Sequence, residues 1–160
     1  MVLIKILVVL NCGAIALQDF KERAVMAFLF PTVGILLAIN YLYNATWNVY
    51  LLFVGINVLL VSLILFLLYL YTKWVIRKPF LNVSFGLGDL FFFYALALGF
   101  PTVTFILLFV GALLFSLLVL LFAKMNNNMD TVPLAGLMGL FLMGILILSF
   151  FPNVPSLYIL

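Results

Sequence analysis

The sequence contains no histidine and one cysteine, and these shortages exclude several kinds of site. Zinc centres built on histidine and cysteine, Ser-His-Asp triads, Cys-His dyads and histidine-ligated haem all need residues that are missing. Cys12 has no second cysteine to pair with, so it forms no internal disulfide. It lies in an apolar run, where we expect it to be buried. We therefore expect no metal site and no cofactor.

Charged residues are also scarce: they make up 7% of the 160 positions, whereas 69% are hydrophobic and 17% aromatic. A soluble domain carries about 25% charged residues, and a disordered chain combines low hydrophobicity with high charge. The composition excludes both classes and indicates a polytopic membrane protein. About six helices of roughly 20 apolar residues would use some 120 positions and leave no room for a separate soluble domain. We predict an all-α fold in which residues 1–160 form a single transmembrane domain.

Apolar runs between charged residues predict six transmembrane helices, because backbone polar groups inside lipid must be paired within a helix. Pro31 is expected to kink the second helix. Polar side chains within the spans are expected to hydrogen-bond between helices, namely Asn11, Asn57 and Ser62. Glycines of the last span are expected to form packing surfaces, namely Gly136, Gly139 and Gly144. The predicted spans are about 2–18, 24–43, 49–72, a short one within 85–100, 103–123 and 132–150.

The distribution of basic residues predicts the orientation in the membrane. With the N-terminus outside, six of the seven lysines and arginines fall in cytoplasmic loops and only Lys5 lies outside. A cleavable signal peptide over 1–16 is the alternative interpretation, but it would leave Lys21 and Arg23 outside, against this bias. The chosen orientation places all four acidic residues toward the cytoplasm, namely Asp19, Glu22, Asp89 and Asp130.

Asp89 is the most informative of these acids. It is the only charged residue between Pro79 and Phe100, and an aspartate at the centre of a span costs about 2.5–3.5 kcal/mol on insertion scales. Gly86 and Gly88 precede it and leave the backbone bare for close approach. One interpretation is that Asp89 caps the fourth helix while the glycines pack. The other is that Asp89 is a functional residue.

Asp19 ends the first span, four residues before Arg23, so one interpretation is a plain i,i+4 ion pair. The other joins Asp19 to Asp89, since both lie at the cytoplasmic ends of spans that run in opposite directions. Two carboxylates that share a site hold one proton between them. One can then activate water while the other protonates the leaving amine. Without histidine, such a pair is the main catalytic arrangement that this sequence offers.

The segment 86–89 reads Gly-Leu-Gly-Asp and matches the Gly-x-Gly-Asp motif of intramembrane aspartyl proteases. Six spans, with a first aspartate at the cytoplasmic end of span one, resemble the branch of prepilin and preflagellin peptidases. That branch commonly has basic residues two and four positions after the first aspartate, where this chain has Lys21 and Arg23. The segment 131–135, Thr-Val-Pro-Leu-Ala, is similar to the Pro-containing start of the branch's last helix and supplies Pro133.

The resemblance covers nearly the whole chain and implies a function. The catalytic pair would be Asp19 and Asp89, and the enzyme would be an aspartic endopeptidase without a cofactor. The substrate would be a prepilin- or pseudopilin-like membrane protein of the type IV pilus kind, cut at the cytoplasmic face after its basic leader. The location would be the inner (plasma) membrane of a prokaryote, with no nucleic-acid partner. Motif or substrate-binding positions would be Gly86, Gly88, Lys21, Arg23 and Pro133.

The sequence departs from the family pattern in places. Phe91 stands where many relatives have a lysine, and residues 26–27 are Met-Ala where many have Pro-Asn or similar. The N-terminal segment with paired cysteines, linked to methylation in larger relatives, is not found in this sequence, so we expect no methyltransferase activity. Two other functions stay open. The first is a non-catalytic assembly subunit that keeps the fold, and the second is a small proton-coupled transporter with Asp19 and Asp89 as proton carriers.

Overall fold

The computed structural model describes residues 2–22, 24–77, 85–126, 133–151 and 156–158. A π-helical turn, Thr72–Ile76, continues the third helix and ends at Arg77, whose backbone is left-handed with φ 56°. The α-helices of these ranges are α1 (Val2–Glu22), α2 (Leu29–Leu42), α3 (Trp47–Tyr71), α4 (Leu87–Ala97), α5 (Thr102–Asn126) and α6 (Leu134–Leu148). The predicted all-α fold is confirmed.

Three of the helices are long and apolar enough to cross a membrane: α1, α3 with its π turn, and α5. The others are apolar but shorter, with 14 residues in α2, 11 in α4 and 15 in α6. At 1.5 Å per residue, α4 is only about 16 Å long, whereas the hydrocarbon core of a bilayer is about 30 Å thick. The protein is thus a polytopic helical membrane protein in which long and short helices alternate along the chain.

Pro31 sets the beginning of α2 instead of kinking it. The predicted second span began at residue 24, but α2 begins at Leu29 and Pro31 lies in its first turn. A helix that began earlier would need an N–H on residue 31 to bond the carbonyl of Ala27, and proline has none. In the first turn that missing N–H costs nothing. The predicted kink is therefore wrong, and the N–H of Thr32 makes its bond to the carbonyl of Phe28 at 3.2 Å.

The short helix α4 lies at the centre of the bundle, in contact with α2, α3, α5 and α6. Its side chains are correspondingly buried, with Phe92 and Ala97 fully enclosed. α1 packs against α6 and α2 on one side of this centre. The long helices α3 and α5 present rows of exposed leucines and phenylalanines, such as Leu63 and Phe122. A bilayer would cover these side chains, as the composition predicts.

The three polar side chains that were expected to join helices do so. Asn11 donates a hydrogen bond to the hydroxyl of Thr32 and links α1 to α2. Asn57 on α3 donates to backbone carbonyls at the end of α4. Ser62 on α3 lies 2.9 Å, hydroxyl to hydroxyl, from Tyr94 on α4. The bonds of Asn57 and Ser62 join the central helix α4 to α3.

Residues of the C-terminal tail close the end of the bundle where α2 and α4 end. The ring of Tyr158 stacks on Phe100 at 5.9 Å and on Tyr41 at 5.7 Å between centroids. The amide of Asn40 donates to the Tyr158 hydroxyl at 2.7 Å. Burial raises the pKa of Tyr158, so its hydroxyl stays neutral here. The C-terminal ends of α2 and α4 are thereby held together.

Candidate active site

Asp19 lies in the last turn of α1, and its carboxylate is directed at the beginning of α6. The backbone N–H of Gly136 donates a 2.6 Å hydrogen bond to Oδ2 of Asp19. The two helices approach closely there: a Cβ on residue 136 would lie 3.0 Å from both Cβ and Oδ2 of Asp19, and 3.4 Å from Cα of Ala16. The missing side chain of Gly136 is therefore what allows this hydrogen bond to form.

Asp89 occupies the first turn of α4, three residues after the N-cap residue Gly86. Its carboxylate lies close to the backbone N–H groups of Gly86 and Ala135, near enough for a favourable electrostatic interaction with each. Gly86 is the N-cap residue of α4 itself, so this part of the interaction is local to the helix, as the capping interpretation expected. Ala135 belongs to α6, so the carboxylate of Asp89 also faces another helix.

The beginning of α6 brings the two aspartates together. Ala135 and Gly136 are consecutive residues in the first turn of α6, just after its N-cap residue Pro133. The first N–H groups of a helix have no acceptor within it and carry partial positive charge. Here the N–H of Gly136 binds the carboxylate of Asp19, and the N–H of Ala135, the residue before it, lies close to the carboxylate of Asp89. The carboxylates lie within electrostatic range of each other.

Aromatic side chains pack beneath the first turn of α4. The ring of Phe30 on α2 lies against Gly88, where a Cβ would be only 3.0 Å from Cζ. The same ring stacks on Phe91 with 6.2 Å between centroids. Phe92 is fully buried. Gly88 therefore serves close packing of α4 against α2.

An open groove lies next to Asp19. Its volume is about 550 Å³, and the side chains that line it come from the last two turns of α1: Leu17, Gln18, Phe20, Lys21 and Glu22. Lys21 and Glu22 are exposed, and Gln18 accepts a hydrogen bond from the backbone N–H of Met26 at 3.0 Å. The groove gives a molecule outside the bundle access to the helix that carries Asp19.

The structure brings together most of the residues that the sequence singled out. Asp19, Asp89 and Gly86 are in direct contact with one another or with the first turn of α6, and Pro133 precedes that turn. Lys21 lines the groove. Arg23, with its expected ion pair to Asp19, lies outside the described residues, as do residues 131 and 132.

Two positions of the candidate site were missed by the sequence analysis. Ala135 was noted only as part of a motif, and Gly136 was expected to be a packing glycine. Gly136 does pack, but its N–H also holds Asp19. The signal that could have found both was Pro133 in front of an apolar run. Proline often precedes or opens a helix, and the N–H groups that follow it are available to an anion.

No three carboxylate, cysteine or histidine side chains come together as a metal site within the described ranges. No family model, curated protein or solved structure matches this chain.

Proposed function

We propose that this protein is an intramembrane aspartyl endopeptidase in which Asp19 and Asp89 form the catalytic pair. The observation that supports the proposal most is that both carboxylates meet at the first turn of α6, Asp19 bound by the N–H of Gly136 and Asp89 beside Ala135. Packing alone does not require two acids from different helices to meet inside a bundle with so few charges. Like charges held side by side oppose folding, so such a pair is typical of a functional site.

The chemistry follows from the pairing. One carboxylate is ionised and takes a proton from a water molecule, whose oxygen attacks the carbonyl carbon of the scissile peptide bond. The other carries the shared proton and gives it to the carbonyl oxygen, which forms a neutral tetrahedral diol. The diol then collapses and the C–N bond breaks: the proton first taken from water passes to the leaving amine, and one diol hydroxyl returns its proton to the other carboxylate, which leaves the carboxylic acid product and restores the pair. The N–H groups of Ala135 and Gly136 orient the two carboxylates throughout.

The substrate class is proposed from the resemblance to prepilin and preflagellin peptidases. A prepilin- or pseudopilin-like protein would present a basic leader followed by an apolar helix. The basic-residue bias favours the cytoplasmic face for Asp19 and Asp89, and the resemblance implies a prokaryotic plasma membrane; such a leader ends at that face. The groove beside Asp19 is open and mainly apolar, and its exposed Glu22 is complementary to a basic leader.

The test is cleavage by the purified full-length protein in liposomes. The reporter is a membrane protein with a Lys- and Arg-containing leader followed by about 20 apolar residues. We expect cleavage between the leader and the apolar helix, in the presence of a strong chelator as well as without one. Loss of cleavage on chelation, with recovery on adding zinc, would refute an aspartyl mechanism. Proton flux without cleavage would favour a transporter, and neither activity would favour a non-catalytic subunit.

A further inference from the structure

At the C-terminal end of α4, the sequence leaves a backbone carbonyl without the N–H that would normally bond to it. In a continuing helix the carbonyl of Ala97 would accept a bond from the N–H of residue 101, but residue 101 is Pro101 and has no N–H. Ala97 is fully buried. A buried carbonyl without a partner is costly, so a donor must come from elsewhere.

Asn57 of α3 supplies that donor. Its Nδ2 donates to the carbonyl of Ala97 at 3.1 Å and to the carbonyl of Phe100 at 2.9 Å. Both bonds are buried, and Asn57 itself is fully enclosed. One side-chain amide therefore holds two carbonyls on either side of the turn that ends α4. No apolar residue of similar size could replace these bonds.

Neighbouring contacts make this end of α4 a fixed point. Gly99 lies against Leu37 of α2, where a Cβ on residue 99 would be 2.8 Å from Cβ of Leu37. Phe100 is fully buried and is stacked by Tyr158. Within this set, Asn57 is the residue that donates hydrogen bonds to the end of α4. It therefore fixes both the rotation of the helix end and its depth in the bundle.

Asp89 is carried by the opposite end of the same short helix. From Asp89 to Ala97 the helix rises about 12 Å, without a proline or glycine between them. Such a segment moves as a unit, so a shift at Ala97 is transmitted to Asp89. At that end the carboxylate must meet the N–H of Ala135 on α6. The helix is thus anchored to α3 at one end and to α6 at the other.

We propose that Asn57 is a positioning residue: by holding the end of α4, it sets the place of Asp89 relative to Asp19. Its effect on catalysis rests on the proposed function, whereas its effect on the position of α4 does not. Asn57 touches neither carboxylate, and it acts through the backbone of the helix that carries Asp89.

Two measurements on Asn57→Leu test this proposal. Spin labels at Leu87→Cys, on the first turn of α4, and at Leu52→Cys, on α3, report the position of α4 by pulsed electron resonance, with the buried Cys12 replaced by Ala. Both labelled positions are exposed. Cleavage of the leader reporter gives kcat and KM. Ser62→Ala is the matched control. It removes the hydrogen bond between Ser62 and Tyr94, which also joins α3 to α4 but does not involve Ala97 or Phe100.

We expect Asn57→Leu to shift or broaden the distance between the labels and to lower kcat by about 10²-fold, since a misplacement of about 1 Å has that effect. KM should stay near the wild-type value, and Ser62→Ala should resemble wild type in both measurements. An unchanged label distance in Asn57→Leu would overturn the proposal. A shifted distance in a protein that never cleaves the reporter would support the positioning by Asn57 and refute the proposed function instead.

Asn57→Ser covers the case in which Asn57→Leu does not fold. A serine hydroxyl can donate one hydrogen bond where the asparagine amide donates two. The label distance should therefore shift in the same direction as in Asn57→Leu, and kcat should fall less. A wild-type distance in a folded Asn57→Ser protein, together with a wild-type kcat, would count against the proposal.

Discussion

The backbone N–H of Gly136 donates a 2.6 Å hydrogen bond to Oδ2 of Asp19, although the two residues are 117 positions apart. The N–H of Ala135, the residue before Gly136, lies close to the carboxylate of Asp89. The first turn of α6 is therefore the place where carboxylates from α1 and α4 meet.

Gly136→Ala should disrupt this arrangement. The added Cβ would lie 3.0 Å from Cβ of Asp19 and 3.4 Å from Cα of Ala16, so α1 and α6 would have to separate. Overpacking of this kind costs about 1–3 kcal/mol, and the Asp19 hydrogen bond would be weakened with it. We expect a lower midpoint in thermal unfolding and a large loss of cleavage.

Gly144→Ala is the matched control on the same helix. Apart from the adjoining residues of its own helix, no residue that the structure describes has an atom within 4 Å of a Cβ built at residue 144, so the substitution creates no clash with them. Alanine is favoured over glycine inside a helix by roughly 0.5–1 kcal/mol. Gly144→Ala should therefore leave the midpoint unchanged or raise it. Equal losses in the two variants would mean that the contact with Asp19 is not what makes residue 136 sensitive.

Gly86→Ala should affect activity without the same loss of stability. The backbone of Gly86 has φ −73° and ψ 139°, which alanine adopts without strain. The new Cβ would lie 2.8 Å from Oδ2 of Asp89, so the carboxylate must rotate away. We expect kcat to fall by about 10²-fold, as for other small misplacements of reacting groups, with little change in the unfolding midpoint.

Gly55→Ala provides the comparison for Gly86→Ala. Within the described part of the chain, no atom beyond the adjoining turn of α3 lies within 4 Å of a Cβ at residue 55. Gly55→Ala should keep the wild-type kcat and unfolding midpoint. If Gly86→Ala also kept the wild-type kcat, the position of the Asp89 carboxylate beside residue 86 would be irrelevant to cleavage.

The orientation predicts a pattern of chemical labelling. A cysteine introduced within 124–130 should react with an impermeant thiol reagent only from the cytoplasmic side, and one within 44–48 only from outside. The reason is the six-to-one distribution of lysine and arginine. The native Cys12 is fully buried and should stay unlabelled in the folded protein. Reversed labelling would place the aspartates at the outer face, away from any cytoplasmic leader.

The sequence predicted the helices better than their ends. Apolar runs show where a helix can lie in lipid, so all six were found. Their ends depend on single hydrogen bonds, which explains the error at Pro31. For α1 the apolar run ended at residue 18, but the helix continues to Glu22 and carries Asp19 with it. The last turn of α1 is charged and still helical, and its Asp19 accepts a hydrogen bond from Gly136 on α6.

The site was only partly predictable for a related reason. Residue type and topology were enough to pair Asp19 with Asp89, since few other groups could serve. The N–H groups beside them, those of Ala135 and Gly136, belong to the backbone, so the residue types alone do not reveal them. The role of Asn57 depends in the same way on a missing backbone donor at Pro101. Such relationships require the packed structure.

Cleavage of the leader reporter by Asp19→Asn, Asp89→Asn and the double variant tests the central claim most directly. Asparagine keeps the size of aspartate but cannot take and return a proton. Each single variant should be expressed and inserted, yet lose at least about 10²–10⁴-fold in rate, and the double variant should lose little more, because the two act as a unit. Glu22→Gln, on the same turn of α1 as Asp19, should affect KM at most. A rate near wild type in Asp89→Asn would contradict the catalytic pair and leave Asp89 as a helix cap.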